Sequence, residues 1–190
     1  MLNNARSFPL HHTVIKIIRD IDMKQLVLTI IGKDRPGLVD EISATILEHH
    51  GNWMTSNLSH LAGQFAGIIQ VGVAEEHLQE IQSALNALPG LEVHIESGDT
   101  DVADQTPETL NLVITGNDRP GIVKELSSVI RHKGANITHL NSRQRSAPNW
   151  GVPIFSAFAT VTLPAGMHKD NVIEALESIT SDLVVDIESE

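Results

Sequence analysis

The chain has 190 residues, 41% of them hydrophobic, a net charge of −11 and no cysteine. That length holds one large or two small domains, the acidic balance disfavours a direct grip on nucleic-acid phosphates, and the missing thiols exclude disulfides and thiolate metal sites while suiting a reducing cytoplasm. No apolar run approaches the roughly 20 residues of a membrane span, and Lys16 and Arg19 interrupt any signal-peptide core, so a soluble cytoplasmic protein without membrane contact is expected.

In chain order, residues 1–22 place Leu10, Val14, Ile17, Ile18 and Ile21 at helical spacing. A short amphipathic helix and an unstructured extension both remain open there. The first domain is expected over 23–97. Gln25 to Ile31 reads as a buried strand, and Leu38, Val39, Ile42, Ile46 and Leu47 mark one face of a helix ending near Gly51. Asn52 to Leu61 and Phe65 to Val73 are extended and meet at Ala62-Gly63-Gln64, a hairpin signal. A helix follows with Leu78, Ile81, Leu85 and Leu88 inward, stopped by Pro89-Gly90, and Leu91 to Glu96 alternates apolar with polar.

Residues 98–108 are acidic and polar and read as a linker to a second domain over 109–190. That domain repeats the order. Leu110 to Thr115 is a strand, Pro120 to Lys133 a helix with Val123, Leu126 and Ile130 inward, and Asn136 opens the next strand. Between Asn141 and the strand carrying Phe155, Phe158 and Val161 the second copy is about six residues longer, with Pro148, Trp150 and Pro153 in the extra loop. Val172, Ile173, Leu176 and Ile179 give the last helix face, and Leu183 to Ile187 the last strand. The expected fold is α+β: two ferredoxin-like βαββαβ domains, each an antiparallel sheet with its helices on one face.

The repeat is centred on one segment. Gly32-Lys33-Asp34-Arg35-Pro36-Gly37-Leu38-Val39 returns as Gly116-Asn117-Asp118-Arg119-Pro120-Gly121-Ile122-Val123, and a constant offset of 84 runs on through Glu41/Glu125 and Asn52/Asn136 to Asn57/Asn141. Proline is tolerated in the first turn of a helix, where its missing N–H was unpaired anyway, and glycine lets another molecule approach the backbone. A helix start carries unpaired donors and partial positive charge, so a carboxylate there gains about 0.3–2 kcal/mol. Each repeat is therefore expected to offer a small anion site; a plain tight connection from strand to helix is the alternative reading.

A strand, a D-R-P-G helix start, a helix of about fifteen residues, the following turns Gly51-Asn52 and Ala135-Asn136-Ile137, and βαββαβ order together resemble the ACT domain. Two copies with nothing else attached look like the tandem-ACT family of bacterial glycine cleavage repressors. The resemblance implies regulation by a small amino acid, glycine foremost, held where the first helix of one unit faces a neighbouring unit. It implies that the backbone of Gly37 and Leu38, or Gly121 and Ile122, takes the carboxylate and that Asp34 or Asp118 takes the ammonium. Arg35 and Arg119 belong to the same implied sites, and Asn52 or Asn136 supplies amide contacts. It further implies a partner activator protein held inactive without direct reading of DNA, a homodimer through sheet edges or helices, no cofactor and no catalysis. A regulatory subunit docking on a metabolic enzyme is the alternative.

Other constellations are weaker. His11-His12 and His49-His50 are adjacent pairs with no metal-ligand spacing, and no nucleophile elbow is present. Arg131, His132 and Lys133 suit a helix C-terminus. Arg143 and Arg145, two apart on one strand leading toward Trp150, have the composition of an interaction hot spot and are expected to meet a partner protein or another subunit.

Overall fold

In a computed structural model, residues 23–98, 108–146 and 151–188 are described. The expectations for residues 1–22, for most of the linker and for Trp150 lie outside them. The chain divides into two compact units, one within residues 1–102 and one within 103–190, and among the described residues no helix is long and apolar enough to cross a membrane.

Alternation builds the first unit. In β1 (Met23–Lys33) Leu26, Leu28 and Ile30 are buried, and in β3 (Gln64–Ala74) Phe65, Ile69, Val71 and Val73 are, because successive side chains of a strand point to opposite faces. The order is β1, α1 (Leu38–Glu48), β2 (Asn52–Leu61), β3, a short 3₁₀ turn (Glu75–His77), α2 (Leu78–Asn86) and β4 (Leu91–Ser97). The sheet runs β2-β3-β1-β4 with every pairing antiparallel, Leu28 lying between Ile69 and Ile95. Both helices cover one face of it, burying Leu38, Ile42 and Ile46 from α1 and Ile81 and Leu85 from α2.

The second unit repeats this with β5 (Thr109–Asn117), α3 (Ile122–His132), β6 (Asn136–Arg145), β7 (Ile154–Thr162), α4 (Lys169–Glu177) and β8 (Val184–Ile187), in the order β6-β7-β5-β8. Its core joins Leu112 and Ile114 to Ile122, Leu126 and Ile130 of α3 and to Val172 and Leu176 of α4. The fold is thus two ferredoxin-like α+β domains.

The hairpins carry the length difference. Residues 62 and 63 alone join β2 to β3; Ala62 at φ +51 and Gly63 at φ +80 are both left-handed, the signature of a two-residue type I′ turn. Residues 146–153 join β6 to β7. One sequence expectation fails in the helices: Val39, Leu47 and Val123 are 45%, 75% and 39% exposed. A helix of this length on a flat sheet buries a narrow stripe at i, i+4 and i+8, and these three valine and leucine positions stand one residue beyond it.

Candidate functional site

Both D-R-P-G segments fold as one device at the end of the central strand. The Asp34 N–H donates to the Gly63 carbonyl at 3.0 Å, and the Asp118 N–H to the Pro153 carbonyl at 2.7 Å, tying each turn to its hairpin tip. Pro36 and Pro120 precede the helix instead of opening it, which corrects the sequence reading. Gly37 and Gly121 are the residues at the helix cap, at φ +87 and +92 with ψ near zero. Proline followed by glycine at those angles is a type II turn, which needs positive φ at its third position. In the second unit the turn closes with the Ile122 N–H on the Arg119 carbonyl at 3.3 Å; among the described residues no such bond closes Leu38 on Arg35. Glycine is there for backbone geometry, and the space around its absent side chain is open at Gly37.

The arginines turn inward on their own helix. Arg35 pairs with Glu41, and its guanidinium lies 3.5 Å from the Pro89 carbonyl. Arg119 grips Glu125 with two parallel hydrogen bonds, Nη1 to Oε1 at 2.7 Å and Nη2 to Oε2 at 2.5 Å. That fork holds the Glu125 carboxyl below its ordinary range and raises Arg119 in return. Both arginines brace the turn against the first helical turns.

The aspartates reach past β3 and β7 to the edge strands β2 and β6. Asp34 Oδ2 lies 3.6 Å from His60 Nε2, and Asp118 Oδ2 accepts a hydrogen bond from Gln144 Nε2 at 2.5 Å. His60 and Gln144 are 84 apart and oppose Phe65 and Phe155, so the same position of each unit supplies the partner. Sequence reasoning missed them; the signal was present in the constant offset, a little beyond the last identical pair. In the second unit Asp182 also enters, accepting from the Asn117 N–H at 2.9 Å and from Thr180, contacts that hold its carboxyl below the ordinary range, Thr180 contributing most.

Each unit has a helix start without a side-chain cap, an aspartate on the same turn and a hairpin tip tied to it, a combination that suits a small molecule carrying both an anion and an ammonium. Leu38 and Ile122 bury their side chains and offer only backbone. Asn52 and Asn136 are elsewhere: Asn52 stands level with Gly72, eight positions along β3 from Gln64 at the turn end, or about 26 Å at strand rise. Arg143 and Arg145 are exposed near the end of β6, and among the described residues no cluster of three or more His, Asp or Glu is arranged to hold a metal.

Two models of the ACT domain match the chain, over residues 24–95 and 106–186. Over 83 residues it is 32% identical to the UPF0237 protein MK1213 of Methanopyrus kandleri, an alignment spanning 40% of this chain and 91% of that protein. A crystal structure of an unknown protein from Galdieria sulphuraria superposes with a TM-score of 0.76 at 28% identity, covering 88% of this chain and 98% of that one. A crystal structure of a proposed glycine cleavage system transcriptional repressor superposes at 0.66 with 14% identity, covering 88% and 99%, a likeness of fold alone. Duplicated D-R-P-G turns on duplicated βαββαβ units, each matched over almost its whole length, place the chain in the ACT-domain family, as a tandem of two ACT domains.

Proposed function

We propose that this protein is a non-enzymatic, cytoplasmic regulator that senses a small amino acid, glycine foremost, at its D-R-P-G turns and passes the bound state to a partner activator protein, restraining transcription of the glycine cleavage system without reading duplex DNA itself. The observation that carries this reading is the repeated turn: an uncapped helix start beside an aspartate, built twice on the same backbone. The fold of the neighbouring repressor-like structure supports it. The ligand carboxylate sits on the backbone at Gly37–Leu38 or Gly121–Ile122, and the ammonium replaces the contact of Asp34 with His60 or of Asp118 with Gln144. Asn52 or Asn136 enters such a site only from a neighbouring copy of the fold, as in a dimer, because within its own unit it is at the far end of the sheet. The best tiny ligands gain about −1.5 kcal/mol per heavy atom, so glycine with its five reaches at most about −7.5 kcal/mol, a low-micromolar limit that suits a sensor of metabolite pools.

A thermal-shift titration with glycine, serine and other single amino acids tests this. Stabilisation of about 2.7 kcal/mol is expected at a hundredfold excess over the dissociation constant, lost in Asp34→Ala or Asp118→Ala. No shift with any amino acid would overturn the sensing role.

A further inference from the structure

We propose that His60 makes the first D-R-P-G turn respond to acidity as well as to an amino acid, its imidazolium competing with the ligand ammonium for Asp34, while the second turn responds to the amino acid alone. This rests on the reading that a small amino acid binds at these turns, and it names a regulation of the same site. The two units differ at one position of a shared device. Opposite Phe65 and Phe155, β2 carries His60 and β6 carries Gln144. His60 Nε2 lies 3.6 Å from Asp34 Oδ2, whereas Gln144 Nε2 donates to Asp118 Oδ2 at 2.5 Å.

Chemistry separates the two partners. Histidine is the side chain whose charge ordinarily changes between about pH 5 and 8, and an amide has no charge to change. A neutral imidazole 3.6 Å from the carboxylate makes no hydrogen bond with it, so this contact gains its strength from the proton. Competition sets the direction. As pH falls, His60 becomes a cation beside Asp34, and a ligand ammonium then meets a neutralised acid and a like charge. As pH rises, the acid is released to the ligand. At the second turn the Gln144 amide yields to a ligand equally at every pH.

The elements around His60 add few other charges. The turn brings Arg35, α1 brings Asp40 and Glu41, and β1 ends in Lys33. Arg35 and Glu41 close on each other. Opposite His60 on β3, Gln64, Phe65 and Ala66 have no titratable group. His49, His50 and His77 gather at the other end of α1, beyond Glu48. Asp34 and His60 are 41% and 58% exposed, which confines the competition to the range of a surface ion pair, about two- to fivefold in Kd.

The test is calorimetric titration of glycine into the full chain at about pH 8 and about pH 5.5, on either side of ordinary histidine titration, at one ionic strength. Asp118→Ala leaves the first turn and Asp34→Ala the second. From the higher pH to the lower, Kd is expected to rise about two- to fivefold in Asp118→Ala and to stay level in Asp34→Ala. Adding His60→Gln to Asp118→Ala should remove the change, and adding Gln144→His to Asp34→Ala should create it. Near the midpoint of that range, heats in two buffers of unlike ionisation enthalpy should show Asp118→Ala releasing protons as it binds. A level Kd in Asp118→Ala, a change that survives His60→Gln, none gained with Gln144→His, or proton uptake on binding would overturn the proposal. Melting temperatures without ligand at both pH values distinguish lost binding from lost folding. Absence of glycine binding by the unsubstituted chain at either pH refutes the sensing role and this inference with it, whereas binding that ignores pH refutes the part of His60 alone.

Discussion

Replacing Gly37 by alanine isolates the energy of the type II turn. A Cβ at this position would have nothing within 4 Å, so the substitution meets no neighbour and its whole effect is conformational, from φ +87. A left-handed alanine costs about 1–2 kcal/mol relative to its relaxed state, which for a unit of this size lowers the melting temperature by about 4–16 °C. Asparagine tolerates positive φ and is a favoured helix cap, so Gly37→Asn should recover much of the loss. Gly32→Ala is the steric contrast: its Cβ would lie 2.3 Å from the Gly90 carbonyl oxygen, backbone against backbone, and should cost more than Gly37→Ala. Trp53 packs on the first core, so its fluorescence in a Trp150→Phe background reads the first unit during thermal unfolding. If the alanine and asparagine variants melt together, or Gly37→Ala falls as far as Gly32→Ala, the turn is not what glycine serves.

Ile42, fully buried in the first core, should lose about 2–5 kcal/mol in urea unfolding when cut to alanine. Leu47, 75% exposed on the same helix, should accept lysine within about 0.5 kcal/mol by the same measurement. The depressed carboxyls of Glu125 and Asp182 bind fewer protons folded than unfolded; their stabilisation is complete above the ordinary carboxylate range and is lost as pH falls below about 4 toward the folded values. Glu125→Gln should therefore flatten the acid limb of melting temperature against pH, leaving the slope near pH 7 unchanged.

Periodicity made the architecture legible because each element has one buried face. Leu26, Leu28 and Ile30 alternate, Leu38, Ile42 and Ile46 recur every four residues, and Ala62-Gly63 is too short for anything but a tight hairpin. Hydrophobicity alone did not separate Val39 and Leu47 from their buried neighbours, since burial depends on the angle at which a helix lies on its sheet. The D-R-P-G motif was legible as a turn and misread in detail: proline and glycine each suit several places near a helix start, and only the dihedral angles distinguish first-turn proline from a type II turn before the helix. The arginines escaped for another reason. Glu41 and Glu125 repeat with them in sequence, but a contact six residues apart crosses the turn and is created by its shape.

The two turns share turn type, arginine clamp and aspartate, so a difference in ligand affinity comes from the charges around them or from the backbone hydrogen bond that closes the second turn. α1 carries Asp40 in its first turn where α3 carries Lys124. Exchanging an acid for a base beside a helix start reverses the sign of its Coulomb interaction with a ligand carboxylate, so by this contribution the second turn should be the tighter site, the more so at low salt. Closure of the Ile122 N–H on Arg119 acts the other way, withdrawing one donor that the first turn leaves outside such a bond. The exchange Asp40→Lys with Lys124→Asp separates the two effects, because it moves the charge and leaves both turns as they are. If charge dominates, the tighter of two amino-acid binding steps in calorimetry should pass from the turn disabled by Asp118→Ala to the one disabled by Asp34→Ala. If the first turn is the tighter site both before and after the exchange, backbone donors set the affinity; if the second is tighter in both, neither effect does.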